Sequence, residues 1–114
     1  MKRTPDLIVL HAGTNDLRTN TAVQVAQSVM KLALQMKTEQ NDVMVSGLTA
    51  RSDDMSEKIS QVNQTLLKEC ENYNLHFINN GNIEAEKHLN GSGLHLNFQG
   101  TLLLAKNFID SIKI

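Results

Sequence analysis

A chain of 114 residues has room for one domain and one modest core, which argues against a two-domain enzyme. Hydrophobic residues make up 40% and charged residues 20%, the balance of a folded soluble domain rather than a disordered chain. With 11 Lys and Arg against 12 Asp and Glu the formal net charge is −1, and aromatics are only 4% with no Trp, so the basic field and stacking platform of a nucleic-acid binder are both missing.

The N-terminal basic pair Lys2-Arg3 precedes an apolar run of only four residues, Leu7 to Leu10. That is too short for a signal-peptide core or a bilayer span, so a soluble, cytoplasmic chain with no membrane span is expected. Asp6 to Gly13 reads as a strand opened by Pro5 and closed by Gly13. Its continuous apolarity suits a strand covered on both faces, as in a parallel sheet.

From Thr21 to Lys37 the period changes. Ala22, Val25, Ala26, Val29, Leu32, Ala33 and Met36 recur at three- and four-residue steps, an amphipathic helix that Asn20 or Thr21 can cap. Asp42 to Gly47 is a second short strand, followed by a polar loop from Leu48 to Asp54. A second helix carries Met55, Ile59, Val62, Leu66, Cys70 and Tyr73 on one stripe, and Asp54 with Glu57 fits a capping box. Leu75 to Ile78 is a third strand. Asn79 to Asn97 reads as loop, with Asn-Gly-Asn and Asn-Gly-Ser-Gly turn signals. The last helix runs from about Phe98 to Ile112, with Leu102, Ala105, Phe108, Ile109 and Ile112 expected inward.

The order β-α-β-α-β-α predicts an α/β fold, helices on both faces of a short parallel sheet. In such sheets ligands bind at the carboxyl ends of the strands. Three polar clusters converge there: Gly13-Thr14-Asn15-Asp16, Ser46-Gly47, and the loop holding Ser92-Gly93-Leu94-His95.

The block Gly13-Thr14-Asn15-Asp16 after a strand resembles the G-x-N-D block of SGNH hydrolases, the GDSL-type esterases and lipases. His95, followed by Leu96-Asn97 and Gly100 before the last helix, resembles their D-x-x-H block. The stretches from Asp6 to Arg18 and from Ser92 to Phe108 look most like the esterase-type domains of first-reading-frame proteins in some non-LTR retrotransposons. The resemblance implies a three-layer α/β/α, flavodoxin-like fold and a Ser-His ester hydrolase acting on a small acyl ester without cofactor or metal. It implies Asn15 as an oxyanion donor and His95 as general base, while the strand-end position of Gly13 and Ser46 has them expected to line the site.

Two departures qualify that expectation. The family's serine sits in a Gly-Asp-Ser block on an earlier strand, and no Gly-Asp-Ser occurs in these 114 residues. The acid of D-x-x-H is replaced by Ser92, which can orient an imidazole but cannot balance its positive charge. Residues 1–114 are therefore expected to form one partial domain lacking the fold's first strands, inactive alone. The alternatives are a non-catalytic structural or interaction module derived from that fold, and a flavodoxin-like small-ligand binder, which lacks a phosphate-binding glycine motif.

Other residues read more plainly. Ser46 lacks the G-x-S-x-G context of a nucleophile elbow, because Met44 and Leu48 flank it. His11 reads as a packed or edge residue. His76 and His88 lack metal-ligand spacing, and Cys70 reads as a buried small hydrophobe. Without a neighbouring strand, the apolar run Leu7 to Leu10 is an exposed edge through which the chain is expected to self-associate.

Overall fold

Ile8 and Leu10 point to one side of the first strand while Leu7, Val9 and His11 point to the other, because side chains alternate along an extended backbone. In the computed structural model, which describes residues 6–91, 93 and 95–112, that strand is β1, Asp6–Leu10. Pro5 and Ser92 lie outside the described residues. β2, Asn41–Ser46, pairs with β1 in parallel, setting Ile8 beside Val43 and Leu10 beside Val45. β3, His76–Ile78, pairs with β2 on its other side, setting Val45 beside Phe77. The sheet order is β1-β2-β3, so the expected parallel α/β architecture is observed.

Helices α1, Ala22–Met36, and α2, Ser56–Asn72, cover the face that carries Ile8, Leu10, Val43 and Val45. Val25, Ala26, Val29 and Ala33 of α1 meet Ile59, Val62, Leu66 and Cys70 of α2 in one core. Thr21 caps α1 as expected. Its hydroxyl accepts from the Gln24 N–H at 3.1 Å, and the Gln24 side chain accepts from the Thr21 N–H at 2.9 Å. Leu32 and Tyr73, expected inward, are exposed at 41% and 49%, while Met30 is buried instead.

The capping box expected from Asp54 and Glu57 does not form. Met55 occupies the cap position without a side-chain bond, and the Asp54 carboxylate accepts from Arg18 at 3.3 Å. The long loop is more ordered than its composition suggests. It contains α3, Ala85–His88, and an antiparallel bridge between Leu89 and Leu96.

The second sheet face carries Leu7, Val9 and His11 of the first strand segment, Met44 and Ser46 of β2, and Ile78 of β3. It is covered by α4, Phe98–Ile112. Here the sequence reading needs its largest correction. Phe108 does face the sheet, its ring 6.2 Å from that of His11. But Leu102, Ile109 and Ile112 are 55%, 50% and 47% exposed, and Ala105 is exposed too. The partly buried side of α4 is instead Leu103, Leu104, Asn107, Phe108 and Ser111, with Asn107 donating to Asn80 at 2.9 Å. No helix among the described residues is long and apolar enough to cross a membrane.

Candidate active site

The chain leaves β1 through a backbone turn that only glycine makes easily. Gly13 has φ of 109°, and a Cβ there would sit 3.2 Å from both Val25 Cγ1 and Val29 Cγ2. The glycine thus lets the strand end pack directly on α1. A single 3-10 turn, Thr14–Asp16, follows at once, closed by the Asp16 N–H donating to the Gly13 carbonyl at 3.2 Å. Leu17, fully buried, anchors the far end of the turn in the core, and the Lys58 ammonium donates to its carbonyl. Between these anchors Asn15 is exposed, and its side chain makes no hydrogen bond among the described residues.

The loop after β2 braces this turn. Asn63 of α2 pins the loop's start, accepting from the Leu48 N–H at 2.8 Å and donating to the Leu48 carbonyl at 3.1 Å. Arg51 then reaches across to donate to the Thr14 carbonyl at 3.0 Å. Its guanidinium is held by Asp53 in a two-pronged contact, at 3.2 Å and 2.5 Å. That hydrogen bonding from Arg51, with its charge and that of Arg18, holds the Asp53 carboxyl below its ordinary pKa, against the opposing effect of desolvation.

The same loop holds the third strand's exit. Ser52 donates twice to the Gly93 carbonyl, from its N–H at 2.9 Å and its hydroxyl at 3.1 Å. A Cβ on Gly93, whose φ is 72°, would collide with the Ser52 hydroxyl. The Asn90 N–H donates to the His95 carbonyl at 2.8 Å. Asn97 then starts α4, its Oδ1 accepting from the Gly100 N–H at 2.8 Å while its amide nitrogen donates to the Lys87 carbonyl at 2.9 Å. His95 is thereby held at the mouth of the sheet with its side chain exposed.

These pieces line one open cleft of about 830 Å³, with Gly13, Asn15, Arg51, Thr49, Leu104 and His95 in its walls. Asn15 and His95 thus come together at the carboxyl end of the sheet. Ser92, the possible orienting group for His95, lies outside the described residues. Ser46 does not line the cleft, contrary to the sequence reading. It is fully buried beneath it. Its hydroxyl accepts from Asn80 Nδ2 at 2.8 Å and meets His11 Nδ1 at the same distance.

Asn80 donates to that oxygen, and the hydroxyl shares its second hydrogen bond with His11 Nδ1, the donor being set by the imidazole tautomer. Desolvation between the strand ends and α4 holds the His11 pKa below its ordinary value. Asn80 also donates to the Gly47 carbonyl at 2.6 Å and accepts from Asn107 of α4 at 2.9 Å. The Ser46 cluster is thus a buried tie between the strand ends and α4.

Two features escaped the sequence reading. Arg51 was one charged residue in a polar loop, and only its reach to Thr14 reveals that it sets the Asn15 turn. A second cavity of about 440 Å³, lined by Leu48, Ile59, Phe77 and Ile83, lies on the other side of Arg51 and holds neither Asn15 nor His95. Among the described residues no cluster of His, Cys, Asp or Glu could hold a metal ion. Cys70 is buried, and burial with the neighbouring Glu69 charge pushes its thiol up to about 11.

No family model and no curated protein sequence matches the chain. Solved structures do. A GDSL-like lipase from Bacteroides thetaiotaomicron superposes with a TM-score of 0.80 over 96% of this chain, at 17% identity. The structure of TesA superposes with a TM-score of 0.74 over 96% of the chain, at 18% identity. The chain spans only 62% and 63% of those two proteins. What is shared at this identity is the architecture: over nearly its whole length, the chain has the α/β fold of the GDSL-like, or SGNH, hydrolases.

Proposed function

We propose that this chain carries the oxyanion-donor and general-base half of an SGNH-type ester hydrolase site, and that these 114 residues alone do not turn over ester. The observation that carries the reading is the shared cleft of Asn15 and His95 at the carboxyl end of a GDSL-like sheet. Asn15 offers an exposed amide to a developing oxyanion, and His95 offers an imidazole to take a proton from an attacking hydroxyl. Gly13 lets the turn sit close enough to α1 to keep Asn15 in the wall. The substrate is a small acyl ester, and no metal or cofactor takes part.

The nucleophile would come from a serine-bearing strand added to the edge of β1 that no other described strand covers, where Leu7 is 41% exposed. The same edge could instead accept a second copy of the chain. The reading as a non-catalytic module derived from this fold keeps one specific support: there is no Gly-Asp-Ser in the sequence, and Ser92 stands where the family has its acid. A retroelement origin, as the resemblance in the Gly13 and His95 blocks implies, fits either reading.

The test is hydrolysis of p-nitrophenyl acetate by this chain and by a version extended upstream with a Gly-Asp-Ser strand, each with and without His95→Ala. The chain alone should show no His95-dependent turnover, and a fluorophosphonate should label none of its serines. The extended form should gain turnover and lose it with His95→Ala. Labelling of Ser46, with activity lost in Ser46→Ala, overturns the proposal. So does an extended, folded form that gains no activity, which favours the non-catalytic reading.

A further inference from the structure

Two asparagines in this chain are followed directly by glycine, in Asn80-Gly81 and Asn90-Gly91. Such a pair can react with itself. The glycine amide nitrogen has no side chain beside it and a freely turning backbone, so it can fold back onto the carbonyl carbon of the asparagine side chain. The fold treats the two pairs differently. Asn80 is only 3% exposed. Its Nδ2 donates to the Ser46 hydroxyl at 2.8 Å and to the Gly47 carbonyl at 2.6 Å, while its Oδ1 accepts from Asn107 at 2.9 Å. The Gly81 N–H, which would have to attack, donates to Asn79 Oδ1 at 2.7 Å. Electrophile and nucleophile are therefore both tied. Asn90 and Gly91 are exposed, and a Cβ on Gly91 would meet nothing within 4 Å.

We propose that Asn90 is a self-modification site, converting through a cyclic imide to isoaspartate and aspartate, and that the fold protects Asn80 from the same reaction. The Gly91 nitrogen attacks Asn90 Cγ and gives up its proton. The bond from Cγ to the side-chain nitrogen breaks, and ammonia leaves with that proton. Water then opens the imide. Addition at the main-chain carbonyl carbon of Asn90 leaves Gly91 attached through Cγ, which is isoaspartate. Addition at Cγ gives aspartate. Either product is about 1 Da heavier and carries one more negative charge, taking the formal net charge one unit below its present −1. Water is the only co-reactant, and no oxidant or second protein is needed.

The position matters because the main chain at Asn90 holds the loop that carries His95. The Asn90 N–H donates to the His95 carbonyl at 2.8 Å, and the Asn90 carbonyl accepts from the Gly93 N–H at 3.0 Å. The Gly93 carbonyl in turn accepts from the N–H and hydroxyl of Ser52, which ties the loop to the segment after β2. Isoaspartate adds one atom to the main chain at the start of this turn. It also takes the carbonyl that Gly93 uses out of the main chain and makes it a carboxylate branch. The turn then no longer closes as built, and the bonds to Ser52 loosen with it. The aspartate product keeps the main chain. None of this depends on the ester-hydrolase reading, because the reaction uses only Asn90, Gly91 and water.

Incubation of the folded chain in mildly alkaline buffer, followed by peptide mass mapping and isoaspartyl methyltransferase labelling, tests it. Position 90 should gain the mass and the label. Asn80 should react at least about tenfold more slowly, since three hydrogen bonds must open before its amide can turn. In denaturant the two positions should react at similar rates. Gly91→Ala has open space for its methyl, so it should keep the fold while slowing position 90 on the order of tenfold by crowding the attacking nitrogen. In the isoaspartyl form the Ser52 and Gly93 amides should exchange faster than in Asn90→Asp, which keeps the main chain. An intact Asn90 in the folded chain, under conditions where the denatured chain reacts, overturns the proposal. So does an Asn80 that reacts as fast as Asn90 in the folded chain. Equal exchange at Ser52 and Gly93 in the isoaspartyl form and in Asn90→Asp overturns the loosening of the loop.

Discussion

The guanidinium of Arg51 donates to the carbonyl of Thr14 at 3.0 Å, so the loop after β2 holds the turn that presents Asn15. Arg51 is itself clamped by Asp53, which also accepts from Arg18 at 3.0 Å. Two sequence segments some 35 residues apart are thus joined through one carboxylate. Arg51→Met removes the donor to Thr14 and most of the positive charge beside Asp53. The Asp53 carboxyl should then titrate at higher pH, nearer its ordinary value, as followed by NMR. Amide exchange at Thr14 to Asp16 should become faster. Arg51→Lys keeps a charge but loses the planar fork, so it should restore the Asp53 titration only in part. An Asp53 titration unchanged in Arg51→Met would show that Arg18 alone holds it down.

Asn15 separates a catalytic role from a structural one. Its side chain is exposed and bonded to nothing among the described residues. Asn15→Ala should therefore leave stability within about 0.5 kcal/mol of the parent, as surface substitutions without partners do. In the form extended with a serine strand it should lower kcat by ~10²–10³, the effect of losing one oxyanion donor. KM should change little. A large loss of stability with no loss of kcat would make Asn15 a turn cap and nothing more.

Why the sequence announced so much of the sheet and so little of the α4 packing has a physical answer. β1, β2, α1 and α2 bury apolar faces, and their residues recur at the period of the element that buries them. Thr21 and Gln24 spell their own cap. In α4 two apolar stripes compete, and periodicity cannot say which meets the sheet. The sheet decides, because His11, Ser46 and Asn80 make its carboxyl end polar. A helix laid over that end is served by Asn107, which bonds Asn80, rather than by Leu102. Ser46 was misread for the same reason. Alternation places its side chain on the α4 face, under the helix, and no local signal distinguishes that from the cleft. Arg51 was illegible because its partner is remote in sequence.

Gly13 offers a clean comparison with Gly91. Gly13→Ala forces a Cβ onto a backbone with φ of 109° and to within 3.2 Å of two core valines. It should cost about 1–3 kcal/mol, the usual range for a residue held in a disfavoured backbone region. A Cβ at Gly91 meets nothing within 4 Å and the backbone there is not left-handed. Gly91→Ala should be close to neutral. Chemical denaturation of both variants checks this, and equal midpoints would mean that the turn after β1 relaxes freely.

His11 should make the stability of the chain depend on pH in one window. Its ordinary pKa is 6.5, and in the folded chain desolvation lowers it. Between the folded value and 6.5 the unfolded chain binds a proton that the folded chain does not, so stability falls as pH falls. The contribution is fully present above 6.5. It is lost as pH drops through 6.5 to the folded value, and is constant below both. Asp53 acts lower: its depressed carboxyl stabilises above its ordinary 3.8 and loses that effect only as pH falls through its folded pKa. Urea midpoints at steps from pH 8 to pH 5 therefore read His11 with little interference from Asp53. The midpoint should fall across that range, and His11→Asn should flatten the profile. The cause is desolvation of the imidazole against α4, where its ring lies 6.2 Å from that of Phe108. A profile equally steep in His11→Asn would show that the pH dependence arises from another group.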